Sequence, residues 1–285
     1  MACLKSLVPL IDDRTKVLVV DNGSSDGTAD AVRSSFPAVG ILRNAENLGF
    51  PGGNNVGIRH ALRQGADYIV LLNNDTVVDG NFVRALLAAA AERPDAGFLS
   101  SKIYYYDRPD VLWFAGGRYS TATGRSVQIG YGEKDRGQYD SLREIDRPCG
   151  CAVMASRTLL EKVGLMDESL FLYGEEIEWA LRAREQALRS LYVPGSKVWH
   201  RISRSSEGER SGKSYYYAVR NTLYILNRHA LCRLPLLNAA RNVIVVLIFL
   251  ASIFTMRIAL VRGIRNVFRG VADYRRGIMG RRDGL

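Results

Sequence analysis

Short apolar runs, each ending in a burst of polar residues, recur along the first third of the chain. Lys16–Val20, Val39–Arg43 and Tyr68–Leu72 are too short for ordinary helices and are rich in β-forming residues, so they predict buried strands. Segments with turn residues and helical character lie between them, ending near Ser35 and Gln64. Alternation of strand and helix at this spacing predicts right-handed βαβ units, a parallel sheet and an α/β fold.

The remainder of the first 225 residues is less regular. Ala96–Ser100 predicts a strand, and Leu112–Tyr131, rich in Gly, Tyr and Thr, predicts a hairpin, so the sheet becomes mixed here. Ser190–Val193 and Lys197–His200 predict two closing strands. Helices are predicted over Gly80–Ala91, from about Ser156 to Val163, from about Glu175 to Ala183, and over Ser214–Asn227, where Arg220 has no evident role.

The carboxyl end has a different pattern, and we divide the chain into a domain of residues 1–225 and a hydrophobic, basic tail of residues 226–285. Val243–Met256 holds 14 residues without a charge, about 21 Å as a helix and shorter than the roughly 30 Å hydrocarbon core. Leu260–Val271 is amphipathic, with arginines on one side. A helix in or on a membrane and an appendage packed on the globular part or a second subunit both remain open.

Composition and charge narrow the class of partner. The chain has 285 residues and a net charge of +10, but eight arginines against two aspartates follow residue 256. Basic residues concentrated beside an apolar run predict contact with an anionic membrane surface and argue against nucleic-acid binding. Of the four cysteines, Cys149 and Cys151 lack zinc-site spacing, so we predict buried thiols in a reducing compartment.

Polar residues at the strand ends are candidates for ligand binding. Asp21 follows the first strand, Asn73-Asn74-Asp75 follows the third, and a glycine-rich stretch including Gly53 and Asn55 lies between them. In an open α/β sheet, ligands bind at the carboxyl ends of the strands. A carboxylate there suits a divalent cation bound to phosphates, whereas capped turns are the simpler explanation.

Carboxylates cluster again at a predicted helix start. Glu175, Glu176 and Glu178 could simply stabilise the helix dipole, or adjacent acids could raise each other's pKa and yield a general base. His200, which follows Trp199, is either a structural histidine or a ligand.

Together these stretches resemble the inverting glycosyltransferases of family two, of the rhamnosyl- and galactofuranosyl-transferase type. The matching segments follow family order over roughly residues 1–225. They are VVDNGSSDGT at 19–28, NLGFPGGNNVG at 47–57, LLNNDTVV at 71–78, MDESLFLYGEEIEWALRAR at 166–184, and Trp199-His200.

The resemblance implies a GT-A fold, a mixed and mainly parallel sheet with helices on both faces, and a nucleotide-diphospho-sugar donor. It implies Glu176 as general base and a Mn2+ or Mg2+ site at Asp75, His200 and Asn73. The donor-binding residues it implies are Asp21, Arg43, Gly53, Asn55, Asn74 and Asp75, and those on the acceptor side are Glu175, Glu178 and Trp179. The acceptor would be a glycan or polyprenyl-linked molecule used at the cytoplasmic face of the plasma membrane for cell-surface polysaccharide.

Two departures from the family pattern support an alternative function. Asn73 stands where the family usually has Asp, so we expect weaker metal binding. The family's first strand is missing before the helix that includes Ala2–Leu7, and its loss would leave two strand edges unpaired. Either the true start lies upstream, or the chain is a fragment whose donor site is damaged. The alternative function is therefore a catalytically impaired, truncated homologue or a membrane-associated binding subunit.

Overall fold

The structure, a computed structural model, describes residues 1–201, 213–230, 234–255 and 260–285. The helices are α1 (Ala2–Leu7), α2 (Thr28–Ser35), α3 (Gly49–Arg63), α4 (Phe82–Glu92), α5 (Arg157–Val163), α6 (Glu175–Glu185), α7 (Lys213–Arg228), α8 (Pro235–Thr255) and α9 (Leu260–Arg275). The strands are β1 (Leu18–Asp21), β2 (Gly40–Arg43), β3 (Tyr68–Leu72), β4 (Thr76–Val78), β5 (Ala96–Tyr105), β6 (Arg108–Phe114), β7 (Gly117–Tyr119), β8 (Ser126–Gln128), β9 (Arg143–Ile145), β10 (Ala152–Ser156) and β11 (Arg189–His200).

A seven-stranded mixed sheet forms the centre of the fold. Its order is β3-β10-β5-β11-β4, with β6 beside β5 and β9 beside β11. β10 runs antiparallel to both β3 and β5, and β11 runs parallel to β5. β3, β5 and β11 therefore point the same way, and their carboxyl ends meet at one edge, as the mixed α/β prediction requires.

Two apolar clusters cover the two faces of this sheet. One contains Phe82 and Leu86 of α4 packed with Leu99, and the other contains Ile58 of α3 packed with Phe98. Phe98 and Leu99 are neighbours on β5 and point to opposite faces because side chains alternate along a strand. Because the sheet is buried on both faces, its strand segments are apolar runs rather than alternating apolar and polar residues.

β1 and β2 form a separate parallel pair at the side of α3. Among the described strands, β1 pairs only with β2, and β3 has β10 as its single neighbour. Each of β1 and β3 thus has one edge without a strand partner in the described part of the chain. α3 packs against both strands.

Several predicted elements differ in extent from those observed. The predicted hairpin is present as the antiparallel pair β7–β8. The two predicted closing strands are one continuous strand, β11, with a register shift between Val193 and Lys197. β4 and β10 had not been predicted as strands, because a three-residue strand and a segment leading into a helix give little local signal.

The last three helices pack together as a bundle. Tyr215, Leu223, Val245, Ile253 and Val267 form its buried core. The proposed boundary at residue 225 falls inside α7, which contributes to this core. α8 begins eight residues before the predicted apolar segment, and its 235–253 portion is, within the described chain, the helix long and apolar enough to cross a membrane. Met256, at the end of that segment, lies outside the described residues.

Candidate active site

Pairing of β4 with the end of β11 brings Asp75 and His200 together. His200 lies opposite Thr76 in the antiparallel register, and the N–H of Arg201 donates to the carbonyl of Asp75 at 2.8 Å. His200 Nε2 is 3.1 Å from Asp75 Oδ1. Two residues 125 positions apart in the chain therefore form one polar pair at the carboxyl edge of the sheet.

The chemistry of this pair fits a divalent cation. Asp75 Oδ1 and His200 Nδ1 are buried and have no hydrogen-bond partner among the described residues. Carboxylate oxygen and imidazole nitrogen are ligands that Mn2+ accepts. No group of three His, Cys, Asp or Glu side chains in the described ranges could hold a metal without other ligands.

A buried turn with two thiols connects this pair to the other candidate residue, Glu176. The N–H of Asn73 donates to the carbonyl of Cys151 at 2.9 Å. Burial raises the pKa of the Cys151 thiol, and Asp75 is among the charges that raise it further. Glu176 interacts electrostatically with the neighbouring Cys149. Both carboxylates therefore act electrostatically on the Cys149–Cys151 turn, Asp75 on the Cys151 thiol and Glu176 on the Cys149 thiol.

Glu176 and Glu175 have different environments although they are adjacent. The Glu176 side chain is 20% exposed, and its Oε1 is 3.8 Å from Nη1 of the buried Arg147. Glu175 is buried, and burial followed by the Glu176 charge raises its pKa well above the ordinary value. Of the two carboxyl groups, only that of Glu176 is both partly accessible and beside a cation. No sequence pattern pointed to Arg147.

The turn before α6 is held by α7. Phe171 and Tyr173 have φ of 62° and 67°, in the left-handed region that non-glycine residues rarely adopt. Asn221 Nδ2 donates to the carbonyls of Leu170, Leu172 and Tyr173 at 2.7–3.0 Å, and Arg220 Nη2 donates to that of Leu170 at 3.0 Å. Arg220, which had no predicted role, and Asn221 thus fix the segment that leads into Glu176.

Asp21 and Arg43 form a second polar pair, at the ends of β1 and β2. They are direct register partners, and Arg43 Nε lies 3.4 Å from Asp21 Oδ2. Hydrogen bonds from Ser24, followed by the Arg43 charge, lower the pKa of Asp21. Asp21 Oδ2 accepts no hydrogen bond from the described residues. It keeps acceptor capacity for a ligand hydroxyl or N–H group.

Two of the predicted donor-binding residues have structural partners instead. Asn55 is fully buried. Its amide donates to the Met166 carbonyl and to Glu168, and its carbonyl accepts from the Met166 N–H. A side chain at Gly53 would collide with the Asn22 amide, which organises the following turn. Asn55 and Gly53 therefore join α3 to its neighbours, whereas Asn74 is exposed beside Asp75.

Two of the predicted acceptor-side residues lie in the protein core. Trp179 is fully buried against Phe98, and its indole N–H donates to the Gly164 carbonyl. Glu178 is also fully buried and accepts two hydrogen bonds from Arg182 at 2.9 Å. Both side chains are thus enclosed by the packing of the core, and their assignment to the acceptor side stays a prediction. Glu178 lies about 160° around α6 from Glu176, and Trp179 lies about 60° from it.

Comparisons with known proteins agree with this geometry. A family model described as "Glycosyl transferase family 2" matches residues 2–164. The dTDP-rhamnosyl transferase RfbF of Shigella flexneri is 26% identical, with 97% of this chain and 93% of the relative covered. The N-acetylglucosaminyl-diphospho-decaprenol L-rhamnosyltransferase of Mycobacterium tuberculosis is 24% identical over 80% of each chain.

Solved structures support the fold. S. aureus TarS 1-349 in complex with UDP matches with a TM-score of 0.54 and 15% identity, covering 97% of this chain and 87% of that one. The mannosyltransferase PcManGT of Pyrobaculum calidifontis, in complex with GDP-Man and Mn2+, matches with a TM-score of 0.52 and 17% identity, covering 96% and 77%. These likenesses confirm the predicted GT-A architecture.

Proposed function

This chain belongs to glycosyl transferase family 2, and from that premise we propose that it transfers a sugar from a nucleotide-diphosphate donor to an acceptor hydroxyl with inversion. The single observation that carries the proposal is the Asp75–His200 pair, 3.1 Å apart at the carboxyl edge of the sheet. Glu176, whose charge acts on the same thiol turn, lies in the first turn of α6, after a segment held by α7.

On the donor side, we assign Asp21 and Arg43 to the nucleoside. The buried carboxylate of Asp21 keeps one free acceptor oxygen, which suits a ribose hydroxyl or a base N–H. The Arg43 side chain is 60% exposed and can follow a bound nucleotide. Asn74, exposed beside the pair, is placed to donate a hydrogen bond to the donor.

Asp75 and His200, with the Asn73 side chain, would hold Mn2+ or Mg2+. When bound, the cation supplies positive charge that stabilises the departing diphosphate. Because Asn73 is neutral, Asp75 is the single carboxylate among these three side chains. The protein then supplies one negative charge fewer than a site with two acidic ligands. We therefore expect the protein to bind the free ion weakly.

Glu176 acts as the general base. Its carboxylate accepts the proton of the acceptor hydroxyl as the hydroxyl oxygen bonds to the anomeric carbon, while the bond from that carbon to the diphosphate oxygen breaks on the opposite face. Glu175, buried and with a raised pKa, stays out of the transfer. Arg147 pairs with the Glu176 carboxylate and orients it.

The rhamnosyltransferases among the relatives favour a deoxyhexose donor and an acceptor carried on a polyprenyl diphosphate. We propose that the protein uses them at the cytoplasmic face of the plasma membrane, in cell-surface polysaccharide synthesis. The catalytically impaired homologue stays the second candidate, because Asn73 stands where a second acidic ligand would add charge.

Transfer of radiolabelled sugar to membrane extract tests both candidates. The donors would be dTDP-rhamnose and nucleotide-activated galactofuranose, each with and without Mn2+. We expect Mn2+-dependent product, and a loss of about 10² or more in Asp75→Ala. Asp79→Ala, on the far side of β4 from Asp75, removes a carboxylate that accepts a hydrogen bond from the Asn81 N–H. It is the matched control and should keep activity. Absence of product with every donor supports the impaired homologue.

A further inference from the structure

One side of the C-terminal bundle is apolar and uncovered. α8 buries Val245 and Ile253 against α7 and α9, while its opposite side faces solvent. The exposed residues there are 42–85% accessible, and two residues at the start of α9, which packs against α8, are exposed as well. We call this the apolar surface; it consists of Leu236, Leu237, Val243, Ile244, Leu247, Ile248, Leu260 and Val261.

Cationic side chains border the apolar surface. Arg262 and Arg265 are exposed on α9, and Phe268 of the same helix is 56% exposed. The acids of the last 26 residues do not offset them locally. Asp273 is buried and accepts a hydrogen bond from Tyr216, and Asp283 pairs with Arg281. Exposed apolar area with arginines at its border is complementary to an anionic lipid surface.

Length alone would let α8 cross a bilayer, since 21 residues make a helix of about 31 Å. Its contacts argue otherwise. Asn242 and Arg241 make hydrogen bonds with Asn227 of α7, and Ser252 with Tyr215. α7 is itself attached to the turn before Glu176 through Asn221. A spanning α8 would have to leave α7 and uncover the buried core of the bundle.

We propose that the apolar surface docks onto the anionic cytoplasmic leaflet, with α8 lying in the interface and α9 returning on the same side. The protein is then monotopic: neither α8 nor any other described helix crosses the bilayer. This inference rests on the membrane location proposed above and adds the contacting surface and the topology. The docking helices α8 and α9 pack against α7, and α7 holds the turn that leads into Glu176, the proposed base.

Vesicle flotation of the full chain tests the surface. Vesicles of phosphatidylcholine alone are compared with vesicles containing about one third phosphatidylglycerol. We expect binding at least about tenfold tighter to the anionic vesicles, and loss of that binding by about tenfold or more in the double variant Ile244→Glu, Leu247→Glu. Leu87→Glu, at a similarly exposed leucine on α4, is the matched control and should bind as the wild type does.

Topology is tested by labelling with a membrane-impermeant maleimide in vesicles of known orientation, using a Cys232→Ser background. Asp283→Cys reports the chain end and Asp30→Cys the catalytic domain; both side chains are highly exposed, at 84% and 76%. We expect both to react from the cytoplasmic face. Reaction of Asp283→Cys from the outer face alone would mean that α8 spans, and would overturn the proposal.

Two further outcomes also count against it. Equal binding of the double variant and the wild type to anionic vesicles would exclude this surface. The wild type could instead form a stable dimer in sedimentation and bind no vesicles, while the double variant is a monomer. That result would identify a second copy of the chain as the occupant of the apolar surface. Sugar transfer to a water-soluble acceptor is measured in parallel, so that failure of the enzymatic function and failure of docking are separate results.

Discussion

Substitution of Glu176 by Gln is the most direct test of the proposed chemistry. The amide keeps the volume of the side chain but cannot accept the acceptor's proton. Removal of a general base typically lowers the rate by about 10² to 10⁴, which corresponds to a barrier higher by roughly 2.7 to 5.5 kcal/mol. We expect kcat to fall within this range.

Stability should change little in the same variant. The Glu176 carboxylate lies 3.8 Å from Arg147, beyond hydrogen-bond distance, and is partly solvated. Arg147 also donates to the Ser126 hydroxyl and the Pro148 carbonyl, so its guanidinium keeps partners when the carboxylate is lost. We expect the free energy of unfolding to fall by less than about 1 kcal/mol, and donor affinity to stay within about threefold.

The matched control is Glu175→Gln, the same exchange one residue earlier. Burial raises the pKa of Glu175 and favours its neutral form, so an amide there replaces a neutral group and activity should stay within about threefold. The assay is single-turnover transfer of labelled sugar with saturating Mn2+, with donor binding measured by calorimetry. Full turnover in Glu176→Gln, or loss in Glu175→Gln alone, would refute the assignment of the base.

Three further predictions concern the surroundings of the site. Asn221→Ala removes an amide that three carbonyls share, so we expect the free energy of unfolding to fall by about 2–3 kcal/mol and kcat to fall more than donor affinity; an unchanged kcat in the folded variant would separate this turn from catalysis. Burial alone would raise the pKa of Asp135, but hydrogen bonds from Tyr104 and Lys102 lower it to about 2. The ionised carboxylate therefore contributes roughly 2 kcal/mol to the free energy of unfolding. This contribution is present above about pH 4 and is lost as the pH falls through about 2. Urea unfolding of Asp135→Asn should therefore show this deficit at pH 7 and almost none near pH 2, and a deficit independent of pH would contradict the charge-based account. Asn73→Asp adds a charged ligand, and titration of activity should show half-maximal Mn2+ lowered by about tenfold; an unchanged or higher value would argue against Asn73 as a ligand.

Local sequence determined most of the framework. Short apolar runs followed by polar turns identified β1, β2, β3 and the start of β5, because strand propensity and turn chemistry act over a few residues. The same reasoning located Asp21 and Asp75 at strand ends, where a parallel arrangement makes them neighbours of a ligand. The family likeness of these motifs then supplied the fold and the class of reaction.

Tertiary structure decided which candidates face the site. Glu175, Glu176 and Glu178 share one residue type in one predicted helix turn, and the family resemblance alone singled out Glu176. In the fold each helix position points in a new direction, so Glu176 keeps partial exposure while the other two are buried. The sequence suggested Asn55 as a ligand-binding amide, whereas in the fold its side chain is hydrogen-bonded to Met166, 111 residues away.

The pairing of Asp75 with His200 depends in the same way on β4, a three-residue strand whose register on β11 no local pattern encodes. Burial and long-range pairing are set by the packing of the whole chain. The sequence therefore determined the strands, their polar ends and the set of candidate residues, and only the assembled fold determined which of those residues meet.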